Sequence, residues 1–153
     1  MKEIKDLIQE HPFFAGLDAA FLDTLTGCAS NTHFAPGEYL FHEGGPADHF
    51  YLLRSGRVRL ETVVPGRAPV VLETIQTGEV IGWSWLFPPY LWQFDAVATE
   101  SVRATAFDGK CLRGKCHDNH DLGYELAMRS AQVMMQRLQA TRLQLLDVYD
   151  TRA

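Results

Sequence analysis

The sequence has few cysteines, little excess charge and no long apolar run. Its three cysteines, Cys28, Cys111 and Cys116, are an odd number at spacings that fit no disulfide framework, which predicts small buried thiols in a reducing compartment. An iron–sulfur cluster usually takes four thiolates, so these three argue against one. No apolar stretch approaches the roughly 20 residues that cross a bilayer. The charged N-terminus lacks the apolar core of a signal peptide. We therefore predict a cytoplasmic protein with no membrane partner.

Signatures of catalysis and of metal binding are also missing from the sequence. There is no serine–histidine–aspartate elbow, no carboxylate pair in a Gly-rich frame and no phosphate loop, so no enzyme is predicted. Of the six histidines, His33, His42 and His49 fall in the strand-rich middle of the chain, without the paired spacing of a metal site in a β-roll. His117 and His120 flank a predicted helix start and are interpreted as surface residues. No metal and no cofactor, haem included, is predicted.

Length and charge indicate one ordinary globular domain without a nucleic-acid surface. The chain has 153 residues, 46% apolar and 22% charged, which suits a single domain with a substantial core. The net charge is −5 and the 14 basic residues are scattered, whereas binding to a phosphate backbone needs clustered lysine and arginine.

The single predicted domain, residues 1–153, is divided into three zones by its periodicity. Residues 1–30 have helical spacing, with Asp18 as a predicted N-cap. Residues 31–107 change to short runs between Gly and Pro turns, typical of an antiparallel sandwich, jelly roll or barrel. Residues 108–153 are helical again. The eight predicted strands are Thr32–Phe34, Tyr39–His42, Phe50–Ser55, Arg57–Val63, Val70–Gln76, Val80–Gly82, Phe94–Thr99 and Val102–Phe107.

The third zone is predicted to hold a short helix over Gly109 to Cys116 and a long helix from about Asn119 to Tyr149. At about 1.5 Å per residue the long helix extends roughly 45 Å, more than a domain of this size needs to cover its own core. Its heptad stripe is Tyr124, Ala127, Ala131, Met134, Leu138, Thr141, Leu145 and Val148. A second apolar set is Leu122, Leu126, Val133, Leu143 and Leu146. The pattern predicts a twofold homodimer through this helix, and the alternative is packing of the whole surface within one chain.

Several motifs in order resemble the cyclic-nucleotide-binding domain family, in particular its Crp/Fnr-type regulators. Phe34–Phe41, then Glu43-Gly44 and Phe50–Val58, are similar to the opening hairpins of that family, and Gly78–Gly82 to the strand that leads into its phosphate-binding cassette. Arg137–Thr141, with the residues Ser130–Gln132 before it, resembles the dimerising helix of the regulators. The resemblance implies an α+β fold, mainly β. Its parts are an antiparallel eight-stranded β-roll, N-terminal helices and a long C-terminal dimerisation helix.

The predicted cassette departs from the family at the residues that hold the ligand. Members that bind cyclic nucleotides have a glutamate after the glycine at position 82, where this chain has Trp83. They hold the cyclic phosphate with an arginine and a serine or threonine, where Gln93 and Phe94 stand here. A neutral amide lacks the charge and the forked donors of a guanidinium. The resemblance places the adenine-contacting positions of the long helix at Thr141 and Arg142, beside Leu138 on the dimer face.

The aromatic residues of the cassette allow two interpretations. Trp83, Trp85 and Phe94, with their neighbours, either line a pocket for a flat or apolar ligand or fill the former nucleotide cavity as core. Asp95 either binds a cationic or hydroxylated ligand or accepts backbone hydrogen bonds at the turn. The candidate ligand-binding residues are Gly82, Trp83, Ser84, Trp85, Leu86, Gln93, Phe94 and Asp95.

The functional prediction is a non-catalytic sensor or partner-binding module that does not bind cyclic AMP through the usual glutamate and arginine. A rewired pocket for a nucleotide or another small effector is the alternative, and a protein partner stays open. A third possibility is a transcription regulator acting with a separate DNA-binding partner. The sequence stops at Ala153, where the long helix ends, so a helix-turn-helix domain and direct DNA binding are not expected.

Overall fold

The computed structural model describes residues 2–150, and within them the chain forms helices, a strand-rich middle and helices again. The helices are α1 (Ile4–Glu10), α2 (Ala19–Thr26), α3 (Gly109–Asp118) and α4 (His120–Asp150), with a 3-10 turn at Pro12–Phe14. The strands are β1 (Ala29–Phe34), β2 (Tyr39–Phe41), β3 (His49–Ser55), β4 (Val58–Thr62), β5 (Val70–Ile75), β6 (Val80–Ile81), β7 (Asp95–Ala98) and β8 (Val102–Asp108).

The strands form two four-stranded antiparallel sheets. One has the order β1-β8-β3-β6 and the other β2-β7-β4-β5, so strands distant in sequence lie side by side. In the first sheet Ala29 pairs with Phe107 and Phe50 also pairs with Phe107, which places β8 between β1 and β3. The predicted fold, an eight-stranded β-roll with flanking helices, is confirmed, and each predicted strand is found with its ends moved by a few residues at most.

The inner strands β3 and β8 of the first sheet bury consecutive residues. Adjacent strand residues point to opposite sides, so these two strands are covered on both faces. On β3, Tyr51 and Leu53 belong to the interior cluster of the roll, while Phe50 contacts the N-terminal segment through Phe13. The interior cluster is Phe41, Ala47, Tyr51, Leu53, Val58, Leu60, Ile75, Ile81, Trp92, Ala96, Ala98, Val102, Ala104 and Ala106. The outer cluster, defined by ring contacts, is Phe13, Phe14, Phe50, Trp85 and Phe107.

The prediction of three unpaired cysteines is wrong, because Cys28 and Cys111 form a disulfide with their Cα atoms 5.7 Å apart. The two are 83 positions apart in sequence, so spacing alone carried no signal. The register between β1 and β8 explains why the two cysteines are close. Ala29 pairs with Phe107, which brings the residue before β1 next to the start of α3. Cys116 is the free cysteine of the described residues.

The described residues divide into two compact units, one ending at Lys115 and the other beginning at Cys116. The second unit is mainly α4, whose first turn is capped by Asn119 Oδ1, the acceptor for the Asp121 and Leu122 N–H groups. None of the helices in residues 2–150 is long and apolar enough to cross a membrane. The prediction of one domain over residues 1–153 stays a prediction.

Candidate functional site

The backbone of the cassette is a glycine followed by a hydrogen-bonded turn. Gly82 follows β6 with φ +92, a conformation that side chains other than glycine rarely adopt. A Cβ atom at Gly82 would lie 2.6 Å from Cη2 of Trp92, so the close approach of that ring requires glycine as well. The Leu86 N–H then donates to the Trp83 carbonyl at 3.0 Å. The segment between β6 and β7 therefore contains this hydrogen-bonded turn and no helix.

Trp92 lies in the interior of the roll, against Gly82. Its ring stacks on Phe41 with centroids 3.6 Å apart and planes 7° from parallel, and only 4% of the residue is exposed. Its backbone is held by the turn after β2, since the Trp92 N–H donates to Gly45 and the Gly44 N–H donates to the Trp92 carbonyl, both at 2.9 Å. The Trp92 indole is therefore part of the hydrophobic core of the roll.

Trp85 is buried in a different place from Trp92. It is 1% exposed and its ring lies 5.8 Å from that of Phe50, in the outer cluster on the far face of β3. The prediction grouped Trp85 with the rings that line or fill the nucleotide cavity, whereas the structure assigns it to the layer beside the N-terminal segment. The reason is the turn Trp83–Leu86, which carries Trp85 over the start of α3, where a Cβ at Gly109 would lie 3.1 Å from Trp85 Cβ.

Arg113 of α3 holds the tip of the cassette, a contact that the sequence analysis missed. Its Nη1 donates to the Trp85 carbonyl at 2.7 Å, and its guanidinium carbon lies 4.1 Å from the centroid of the Tyr90 ring. Tyr90 has φ 59 and follows the cis peptide bond between Pro88 and Pro89. The sequence offered no signal for this contact, because an arginine on a short polar helix is usually a solvated charge.

The two residues at the positions predicted to align with the family's phosphate ligands, Gln93 and Phe94, do not offer a charged donor. Gln93 is exposed, and its Nε2 donates to the backbone carbonyl of Leu91 at 3.1 Å. Phe94 is partly buried and packs against the interior cluster, with its ring 5.8 Å from Phe41. At these two positions the chain therefore has an amide that is hydrogen-bonded to its own backbone segment and an apolar aromatic ring.

Asp95 at the start of β7 is buried, with 7% of the residue exposed. Its Oδ1 accepts a hydrogen bond from the Glu43 N–H at 2.7 Å and lies 3.6 Å from Nδ1 of His42. The carboxylate thus anchors the turn after β2, as buried carboxylates must find donors. Asp95 therefore accepts a backbone hydrogen bond at the turn, one of its two predicted roles. Binding of a cationic or hydroxylated ligand by Asp95 stays a prediction.

The remaining predicted residues are distributed over both units. Trp83 and Leu86 are partly buried and Ser84 is buried, all three on the cassette turn. Leu138, Thr141 and Arg142 lie on α4 in the second unit and are exposed, and the Thr141 hydroxyl donates to the Arg137 carbonyl at 2.8 Å. Between residues 2 and 150 no three His, Cys, Asp or Glu side chains are grouped so that they could hold a metal ion.

Comparison with known proteins shows which family these features define. The profile of the family described as cyclic nucleotide-binding domain matches residues 31–119. That is more than half of the chain, so the protein belongs to the cyclic-nucleotide-binding domain family. The resemblance inferred from the hairpin and cassette motifs is confirmed.

Individual relatives agree with this assignment. The chain is 25% identical over 146 residues to a CRP-like cAMP-activated global transcriptional regulator of Mycobacterium tuberculosis (strain CDC 1551 / Oshkosh), covering 95% of this chain but 63% of that regulator. The chain thus spans less than two thirds of the length of this curated relative.

Solved structures show the same fold. The structure of a cyclic nucleotide-binding protein from Geobacter metallireducens GS-15 superimposes with a TM-score of 0.80 at 28% identity, covering 90% of this chain and 99% of the other. The N-terminal domain of a transcriptional regulator from Streptomyces coelicolor A3(2) gives a TM-score of 0.68 at 27% identity, covering 86% and 94%.

Proposed function

We propose that this protein is a non-catalytic regulatory domain of the Crp/Fnr type that does not bind cyclic AMP through the usual glutamate and arginine. The main support for the proposal is the position and hydrogen bonding of the Gln93 side chain. Its amide is exposed and bonded to the Leu91 carbonyl of its own turn. An amide so placed supplies neither the charge nor the forked donor pair that an enclosed phosphate needs.

The packing of Trp92 supports the same proposal from the interior side. Its indole fills the space directly against Gly82 and stacks on Phe41. A ribose hydroxyl that approaches the cassette glycine would meet an apolar ring there instead of a hydrogen-bond acceptor, and a phosphate would meet the same ring instead of hydrogen-bond donors. Losing the stack would cost burial of a large aromatic side chain, so a ligand that displaced Trp92 would bind weakly.

Small effectors other than cyclic AMP are the second candidate, favoured by the exposed tip of the cassette. Phe87 is 50% exposed and Leu91 is 39% exposed, although both flank the fixed Tyr90–Arg113 contact. Apolar side chains exposed on a rigid turn are suited to a flat effector or to a protein partner.

The proposed signalling assembly is a twofold homodimer through α4. The heptad stripe is exposed along its whole length except for the partly buried Met134, and it includes the small residues Ala127 and Ala131. Two copies of such a stripe can pair as a coiled coil, which buries what one chain leaves in water. We propose a cytoplasmic regulator, since the curated relative is named a transcriptional regulator. Direct DNA contact by residues of this chain is not part of the proposal.

Calorimetric titration with cyclic AMP and cyclic GMP tests the proposal. The expected dissociation constant is in the high micromolar range or weaker. A sub-micromolar value for wild-type protein would overturn it. The matched variant carries Trp83→Glu and Gln93→Arg, which restores the two family residues at their aligned positions. It should bind cyclic AMP at least about tenfold more tightly than wild type, since a guanidinium gains charge-assisted hydrogen bonds to phosphate.

A further inference from the structure

The disulfide between Cys28 and Cys111 lies where three elements meet. Cys28 precedes β1, Cys111 is in the first turn of α3, and the Asp108 N–H at the end of β8 donates to the Cys28 carbonyl at 2.9 Å. Asp108 Oδ1 also accepts the Cys111 N–H at 2.8 Å and so caps α3. The bond therefore ties the start of α3 to the edge of the first sheet.

A surface pocket of about 520 Å³ adjoins both sulfur-bearing residues. Besides Cys28 and Cys111 it is lined by Ser30, His49, Asp108 and Lys110, with Gly27 and Ala29. Basic side chains next to a disulfide favour the approach and the formation of thiolates, which are the reacting species in thiol–disulfide exchange. The pocket thus gives a small thiol a place to bind next to the disulfide.

We propose that Cys28 and Cys111 are a redox-active pair that exchanges with a low-molecular-weight dithiol or thiol in this pocket, and that the bond controls how firmly α3 holds the cassette. The compartment is the reason to expect exchange, and here the inference rests on the proposed function. Disulfides in the cytoplasm are usually transient or sensing, because thiol reductants keep most cysteines reduced.

The reaction balances with a dithiol as the reductant. Its first thiolate attacks Sγ of the more exposed Cys111, and the Cys28 sulfur leaves as a thiolate that takes up a proton. The second thiol of the reductant, after losing its proton, attacks the mixed disulfide and releases Cys111. Two thiols of the protein form, and the reductant becomes a cyclic disulfide. A small-molecule disulfide reverses the reaction, taking up the two electrons.

The link to the cassette runs along one turn of α3. Gly109 packs against Trp85, Cys111 carries the bond, and Arg113 donates to the Trp85 carbonyl and covers the Tyr90 ring. Breaking the bond removes the covalent tie between the first turn of α3 and the sheet edge and leaves the backbone hydrogen bonds of Asp108 and Gly109 to hold it. The guanidinium contact two positions further on loses part of its support. The cassette tip between Trp83 and Trp92 should then open more often.

The first measurement is alkylation of the folded protein before and after dithiothreitol. One thiol, Cys116, should react before reduction and all three cysteines afterwards, with the circular dichroism spectrum of folded protein retained. Oxidised glutathione should restore the original count. Resistance to dithiothreitol until the protein unfolds, or unfolding upon reduction, would mark the bond as a structural crosslink and overturn the proposal.

The second measurement is amide hydrogen exchange of the two redox forms. Exchange in the cassette tip should be about tenfold faster after reduction, with the β4–β5 hairpin unchanged as an internal reference. The Cys116→Ser variant should respond like wild type, while Cys111→Ser should exchange rapidly at the tip with or without dithiothreitol. Equal exchange in both forms of the wild type would refute the link to the cassette. Cyclic AMP affinity is read separately, so failure of the proposed function would not mimic this result.

Discussion

The β-roll and the long helix α4 differ in what covers their apolar side chains. In the roll, Leu53, Val58 and Ile75 have no exposed surface. In α4, Leu138 is 57% exposed and Leu143 is 68% exposed. The roll therefore completes its core within one chain, whereas the end of α4 presents a surface that a single chain leaves in water. Helices gain most of their stability from packing, so the distal part of α4 should depend on a partner.

The largest expected effect on stability comes from a substitution in the buried interior of the β-roll. Trp92→Ala should lower the free energy of unfolding by about 3–5 kcal/mol, because it removes the Phe41 stack and leaves a void in the interior cluster. Chemical denaturation measures the loss. Phe87→Ala, at a half-exposed ring on the same turn, is the control and should cost less than about 1 kcal/mol. Equal costs for the two variants would show that Trp92 is not a core residue.

A charged residue in the exposed heptad stripe of α4 tests whether a second copy of the chain covers that stripe. Leu138→Glu should weaken the homodimer by about 100-fold, because two facing carboxylates would be desolvated in the seam. Light scattering over a concentration series should show monomers for this variant and dimers for wild type. Gln139→Glu adds the same charge one residue away from the heptad stripe and should leave the dimer intact. A monomeric wild type at micromolar concentration would disprove the pairing.

Trp83 is only partly buried, so its truncation should have an effect on stability between those at Trp92 and Phe87. Trp83→Ala should lower the free energy of unfolding by about 2 kcal/mol, less than at Trp92 and more than at Phe87. A thermal-shift screen of small aromatic effectors on the same variant separates the two interpretations of this ring. A cost near that of Trp92→Ala with no change in ligand response would favour the core interpretation. A mild cost with a lost ligand response would favour the pocket.

The smallest effect concerns pH and is confined to the roll unit. Burial lowers the pKa of His11, whose Nδ1 accepts the Phe13 N–H at 3.2 Å. The unfolded chain then binds a proton that the folded chain resists, so stability should be complete above about pH 6.5 and decline as the pH falls below it. Denaturation curves between pH 8 and pH 5 measure the decline. His11→Gln should flatten it, and an unchanged slope would assign the pH dependence to other groups.

The strands and most helix ends could be predicted because their signals are local. Alternation in Arg59, Leu60 and Glu61 and the turn at Pro65-Gly66 are visible within a few residues, and β4 ends close to the predicted position. Asp18 was predicted as an N-cap, and its Oδ1 accepts the Ala20 N–H at 3.0 Å. Such interactions span one turn, so neighbouring residues determine them.

The sequence by itself determined the fold class, the order of the elements and the absence of a guanidinium at position 93. It did not determine which aromatic rings share a space. Trp85 and Trp92 are close in sequence but lie on opposite sides of β3, since the intervening chain turns over the start of α3. The Cys28–Cys111 bond and the Arg113 contact likewise join residues far apart in sequence. The sheet register, which sums many weak pairings along whole strands, brings Cys28 next to the start of α3, and the packing of α3 against the cassette turn brings Arg113 to Trp85.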